Sequence, residues 1–262
     1  MKIGLLVRYH QNFNEWALFA DAVGIDGLEI SYQDAGDYDI DPEPIKNAIK
    51  DRKVEICSIA IFHVNTLAED PQERARAKEL NCNVIDTAAE VGSKLAVIGM
   101  GYNDNQSLEA NLEEFKAEHY FYNDRANKLG VTLAYYLGHP PNIATSLENI
   151  DKIIKMIPDI NLKVDPVGII RHLKIEPYEV IKAIGERIVH FHCKDILRYD
   201  DYEIEPPVGM GQVEWNKLIA MLYDFHYDSY LVIEPHGPMW RDEDKIANHI
   251  ILSKRHLEQF IP

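Results

Sequence analysis

Apolar positions along this chain alternate between two patterns. Short apolar runs occur at Lys2 to Val7, Gly27 to Ile30, Val54 to Ile59, Leu95 to Ile98, Val131 to Tyr136, Leu162 to Val164, Ile188 to His192 and Tyr230 to Ile233. Their length and β-branched content predict strands. Between them, apolar residues recur at helical spacing. Leu80, Val84, Ala88 and Val91 form one such stretch, and Leu108, Leu112, Phe115, Tyr122, Ala126 and Leu129 another. Gly92 and Gly130 follow these stretches as helix stops. Thr145 with Glu148 predicts a capping box opening a further helix. Ile246, Ile250 and Leu257 mark the last helix.

Eight strands alternating with helices predict an α/β fold on a parallel sheet. Eight repeats within 262 residues favour a single (β/α)8 TIM barrel over an open sheet, with 1–262 as one domain. An open dinucleotide-binding sheet would carry GxGxxG after the first strand, and none is there. Strand alternation sorts residues by face. Val131, Leu133 and Tyr135 oppose Thr132, Ala134 and Tyr136. Val189 and Phe191 oppose His190 and His192, while Leu231 and Ile233 oppose Val232 and Glu234. The first set of each pair is expected against the helices and the second inside the barrel. That places Tyr136, His192 and Glu234 near the open rim.

Charge narrows the partners. Lys plus Arg is 27 and Asp plus Glu is 43, a net charge of −16. This excess repels phosphate backbones and anionic lipid, so nucleic acid and membrane surfaces are not expected as partners. A local basic pocket could still accept a small anion. Cys57, Cys82 and Cys193 form no CxxC pair. A reduced, cytoplasmic protein is therefore expected. No apolar run reaches the ~18 residues of a membrane helix.

Three ionisable residues sit at consecutive strand ends: Asp165, His192 and Glu234. Each alone reads as a polar residue meeting solvent or capping a helix. On three successive strands they read as a ligand set for a divalent metal, with oxygen donors favouring Mn, Mg or a similar ion.

The opening MKIGLLV and GIDGLEI, Asp165-Pro166, HFHCKD at His190 to Asp195, VGMGQVEW at Val208 to Trp215 and VIEPHG at Val232 to Gly237 are shared features. Together they resemble the sugar-phosphate isomerase/epimerase family, which has a xylose isomerase-like TIM barrel. The likeness spans nearly the whole chain and is most specific in its second half. It implies one divalent metal held by Glu, Asp, His and Glu, with the two glutamates moving a proton beside a carbonyl. Asp165, His192 and Glu234 match three of these ligands. The first glutamate has no match, because the fifth strand reads LAYYLGH and Tyr136 stands where the glutamate is expected. A phenol is neither a good base at neutral pH nor a strong ligand for a hard cation. Metal binding is accordingly expected to be weak or lost.

Glu234 then remains as the acid/base, with His139 or Lys194 as a second partner. His139 could equally be a loop histidine bonded to backbone, and Lys194 a surface partner of Asp195. Tyr136, His10, Arg198 and Trp240 are expected to line the substrate pocket, with Arg8 and Tyr9 beside them. His190 reads as a hydrogen-bonded core histidine, Glu29 as a residue at the second strand end that contacts substrate or, more simply, caps a loop, and Trp215, like Trp240, as a residue that stacks on a sugar face or, as is commoner for tryptophan, packs in the core. Lys163 points inward by parity, which implies either a buried carboxylate partner or a bulged sixth strand.

The leading expectation is a metal-assisted isomerase or epimerase acting on a small sugar, keto-sugar or polyol. A dehydratase or lyase on the same scaffold is the second, and a non-catalytic carbohydrate-binding relative the third. The chain could also form a homo-oligomer. Apurinic endonucleases resemble this chain in fold but need a histidine-rich trinuclear zinc cluster; the fourth strand here, LAVIGMGY, lacks histidine and the charge is strongly negative, so a nuclease is not expected. No GxSxG supports a serine hydrolase.

Overall fold

The computed structural model describes residues 1–9, 12–33, 41–237 and 243–262. Its strands are β1 (Lys2–Arg8), β2 (Gly27–Gln33), β3 (Glu55–Phe62), β4 (Leu95–Ile98), β5 (Thr132–Tyr136), β6 (Asn161–Val164), β7 (Ile188–Cys193), β8 (Leu197–Tyr199), β9 (Tyr202–Ile204) and β10 (Tyr230–Ile233). Eight of them close a parallel barrel in the order β1-β10-β7-β6-β5-β4-β3-β2. These eight are the strands the apolar runs predict. β8 and β9 form a separate antiparallel hairpin in the loop after β7.

The helices are α1 (Phe13–Val23), α2 (Glu43–Ile49), α3 (Pro71–Glu90), α4 (Leu108–Leu129), α5 (Leu147–Met156), α6 (Pro166–Gly168), α7 (Pro177–Ile184), α8 (Trp215–Asp224) and α9 (Glu243–Leu257). A π-helical turn, Ile169–Leu173, continues α6. Side chains of Asn12, Asp70, Ser107 and Ser146 cap α1, α3, α4 and α5 by accepting a first-turn N–H. The cap of α5 is therefore Ser146, one residue beyond the expected Thr145. Ser146 Oγ accepts from Asn149 N at 3.1 Å. Gly130 ends α4 in the left-handed region, at φ 69°.

The main apolar core lies between sheet and helices. It includes Leu133 and Tyr135 of β5, Phe191 of β7, and Leu231 and Ile233 of β10, as parity predicts. Inside the barrel, Ala60, Leu95, Val97, Ala134 and Tyr136 pack together, and Leu6, Cys57 and Val232 form a second group. Val189 departs from expectation, because it packs against the first inner group and not against the helices. The cause is a register shift: Leu162 pairs with Ile188, but Lys163 pairs with His190, which leaves Val189 as an extra residue. A second shift, between β2 and β3, pairs Leu28 with Ile56 and Glu29 with Ser58. The extra residue lies in β7 and not in the sixth strand, and of the two alternatives for Lys163 it is the carboxylate partner that the structure shows, Asp165 at 3.7 Å.

Candidate active site

Three strand ends deliver the central residues. Asp165 follows β6, where its Oδ1 accepts the N–H of Gly168 at 3.0 Å and so caps α6. A Cβ on Gly168 would stand 3.3 Å from the Asp165 carboxyl, so glycine keeps this cap close. His192 lies within β7, and Glu234 follows β10 directly. The strands converge at the C-terminal mouth, where barrel chemistry is built. Candidate ligand atoms of Asp165, His192 and Glu234 all lie within 4.8 Å of one another. The three residues expected to meet do meet.

Beneath them runs a buried polar column. Glu29 is fully buried, and Ser58 Oγ donates to its Oε2 at 2.7 Å. His190 Nε2 bonds to the same oxygen, and His192 Nε2 lies 2.9 Å from Oε1. On its other side, His192 Nδ1 lies 2.8 Å from Glu234 Oε2. An ionised carboxylate only accepts, so each ring nitrogen of His192 is placed to donate to one. Burial opposes charge on the ring, but Glu29 and Glu234 outweigh it and raise the His192 pKa. For His190 burial prevails and the pKa falls. For Glu29 burial is in turn outweighed by both imidazoles, which hold the carboxyl well below its ordinary range.

Lys194 completes the centre. Its Nζ lies 2.9 Å from Asp165 Oδ2 and 3.1 Å from Glu234 Oε2. The side chain is buried, so the surface Lys194–Asp195 pair considered from sequence does not form. Burial disfavours the ammonium, but the two carboxylates overcome it and raise its pKa. Lys163 Nζ approaches Asp165 Oδ2 at 3.7 Å and stands over the Phe62 ring. Burial would raise the pKa of Asp165, but Lys194 and then Lys163 drive it far down. Further out, His236 Nδ1 lies 2.7 Å from Glu205 Oε2, and its Nε2 lies 3.4 Å from Glu234 Oε1. Bonding to Glu205 and then to Glu234 lifts His236 to about 9. Arg171 pairs with Glu205 and Glu203.

Asp165, His192 and Glu234 have the donor types and spacing of a possible metal site. As arranged, the set is closed. Glu234 Oε2 and Asp165 Oδ2 both face the Lys194 ammonium, and both nitrogens of His192 point at carboxylates. A dication would have to expel Lys194 from between the two carboxylates, so it does not fit this arrangement. A second group, Glu29 with His190 and His192, also has ligand spacing but is closed by its own hydrogen bonds.

A cavity of about 160 Å³ opens above the cluster. Its lining includes Arg8, Phe62, His63, Tyr136, His139, Lys163, Asp165, Arg171, His172, Lys194, Glu234 and His236. Tyr136 is buried, with its ring 5.2 Å from that of Phe62, and its Oη accepts the His63 N–H at 3.3 Å. Burial lifts the phenol to about 12. His139 bonds to the Pro140 carbonyl at 3.2 Å and also reaches the cavity, its ring 4.3 Å from His63 and 4.6 Å from His172. Burial pushes His139 down to about 4. Arg198 is elsewhere: it sits on β8, pairs with Glu203, and is not among the cavity's lining residues. Trp215 is buried in the core, as expected. His10 and Trp240 lie outside the described residues.

Sequence reasoning singles out Glu29 as a substrate contact or loop cap but does not place it beneath His190 and His192, because it sees the second strand end at Ile30. With β2 running to Gln33, Glu29 lies mid-strand and points inward. A carboxylate flanked by Leu28 and Ile30 was the available signal. His236 was missed, although it follows Glu234 at the same parity. His63, His172 and Arg171 carried no sequence signal, since the loop after β3 brings in His63 and the π-helical turn after α6 brings in Arg171 and His172.

Against curated proteins the chain finds no match. Among solved structures, it resembles a xylose isomerase domain protein from Planctomyces limnophilus (TM-score 0.81, 15% identity, covering 99% of this chain and 96% of the other). It also resembles the D-psicose 3-epimerase of Clostridium cellulolyticum H10 crystallised with D-tagatose (TM-score 0.77, 16% identity, coverage 100% and 99%). A third is the IolI protein with a bound zinc atom (TM-score 0.78, 15% identity, coverage 100% and 98%). At these identities the likeness establishes the fold. The family model described as a xylose isomerase-like TIM barrel matches residues 17–254. With a closed eight-stranded barrel and a polar centre at its C-terminal mouth, the chain belongs to the xylose isomerase-like TIM-barrel family.

Proposed function

We propose that this protein is an isomerase or epimerase that moves a proton at the carbon beside a carbonyl of a small, sugar-like substrate. One observation carries the reading. Glu234 meets the cavity as a carboxylate set between three nitrogen donors: His192, Lys194 and His236. Proton abstraction beside a carbonyl needs a base next to groups that stabilise the oxyanion being formed. Lys194 has three N–H donors and uses two on Asp165 and Glu234. The third is available to a substrate oxygen.

For Glu234, burial raises the pKa, but Lys194 and then His192 hold it well below the ordinary range. At rest it is a weak base. The forming oxyanion accepts the third Lys194 N–H where the ammonium stands, which weakens its hold on Glu234 as the proton is taken. His139, neutral near pH 7, and His236, an imidazolium there, supply an acceptor and a donor on the same cavity. A Mn or Mg ion on Asp165, His192 and Glu234 enters this reading only by replacing Lys194, and no step here depends on it. The setting is a reducing cytoplasm, in which the three free cysteines remain thiols. The partner is the small-molecule substrate, met by a monomer or a homo-oligomer.

His236 beside Glu234 favours one alternative, dehydration, because an acid next to a base also suits a departing hydroxyl. The test is deuterium uptake from solvent into a panel of ketoses and keto-polyols. Exchange by the natural chain is expected, with a fall of about 100- to 10,000-fold in Glu234→Gln. Water loss in place of exchange would select the dehydratase reading. Neither reaction across the panel would overturn both.

A further inference from the structure

We propose that the Lys194 ammonium is the permanent counter-cation of this centre, standing between Asp165 and Glu234 in place of a divalent metal ion. Three observations carry this. First, the ammonium contacts the two carboxylate oxygens that a bridging ion would need, at 2.9 and 3.1 Å. A metal bound to those oxygens would place two cations in one small buried space. Second, a further lysine reaches the same place: Lys163 Nζ lies 3.7 Å from Asp165 Oδ2. The end of β5 adds no further carboxylate, since Tyr136 stands there, its Oη accepting the His63 N–H.

Third, the backbone that carries Lys194 is pinned. The next residue, Asp195, is fully buried and accepts from Ile196 N, Gly209 N, Val213 N and Trp215 Nε1 at 2.9 to 3.1 Å. The residue before it, Cys193, pairs with Ile233 in the barrel sheet. Lys194 can leave the centre only by rotating its side chain, and doing so would leave two buried carboxylates facing each other. The arrangement supplies a fixed positive charge beside the substrate oxygen.

The inference does not rest on the reaction proposed above, and its test does not read activity. Chelator-treated full-length protein is titrated with Mn²⁺ near neutral pH, with free ion followed by paramagnetic resonance. The natural chain is expected to show no one-to-one binding tighter than about 1 mM. Lys194→Met, of similar length but uncharged, is expected to gain Mn²⁺ affinity by about 100-fold, the upper range of what neighbouring groups exert on metal sites. Lys194→Arg is expected to remain refractory. Micromolar binding by the natural chain would overturn the proposal whether or not the variants fold. A folded Lys194→Met with unchanged affinity would overturn it as well. Absence of deuterium exchange would sink the proton-transfer reading and leave this titration standing.

Discussion

His249 shows how a single buried side chain ties stability to pH. It lies on α9 away from solvent, and burial drives its pKa down to about 4. In the unfolded chain it titrates near its ordinary value of about 6.5. Between these values the unfolded chain binds a proton that the folded chain does not. Its contribution is therefore complete above about pH 6.5 and is lost as pH falls toward 4, by a total on the order of 3 kcal/mol. Thermal melts from neutral to about pH 4.5 should show a steeper fall for the natural chain than for His249→Asn. Parallel curves would show that the imidazole is solvated in the fold. Glu29 makes the complementary point about legibility. Its type and parity were both readable, but its importance came from His190 and His192, more than 160 positions later in sequence. Nothing local in a sequence states which distant strands share a barrel interior.

Among the elements, strands were the most legible, because alternation and apolar length act locally. The two register shifts were not, since a bulge is a relation between two strands. Val189 faced inward against its parity for that reason. The α5 start slipped by one residue because Thr145 and Ser146 are both good caps, and only the chain path selects Ser146. The run HFHCKD…VGMGQVEW was read as chemistry, and part of it is scaffolding. Asp195 ties the segment after β7 to the start of α8 by gathering four N–H donors. Gly211 is required beside it, since a Cβ there would come within 2.2 Å of Asp195 Oδ1 and 2.5 Å of the Ile196 carbonyl. Replacing Asp195 with Ala strands these buried donors, so a loss of at least about 3 kcal/mol in urea unfolding is expected. Trp215→Phe removes one donor and should cost about 1 kcal/mol if packing is kept. Equal losses in the two would mean that the indole, and not the carboxylate, anchors the segment.

Closure is the property of the whole molecule that no single element carries. β10 fills the gap between β1 and β7, pairing Lys2 with Tyr230 and Val232 with His192. The first and last strands meet, so most of the barrel must be in place before its ring of hydrogen bonds is complete. A chain ending before β10 should therefore show no cooperative urea transition, whereas the full chain unfolds cooperatively. A sharp transition in the truncated form would mean that seven strands suffice. The mouth also differs from the molecule as a whole. At a net charge of −16, the carboxylates at its centre are nevertheless matched by ammonium and imidazolium groups. Lys194 is incorporated once per chain during synthesis. A positive charge acquired that way cannot be withheld by starvation, stripped by a chelator, or exchanged for copper, which outcompetes most other divalent ions at mixed nitrogen and oxygen sites. The chain would emerge from folding with its charge complement already installed, independent of what the cell can import.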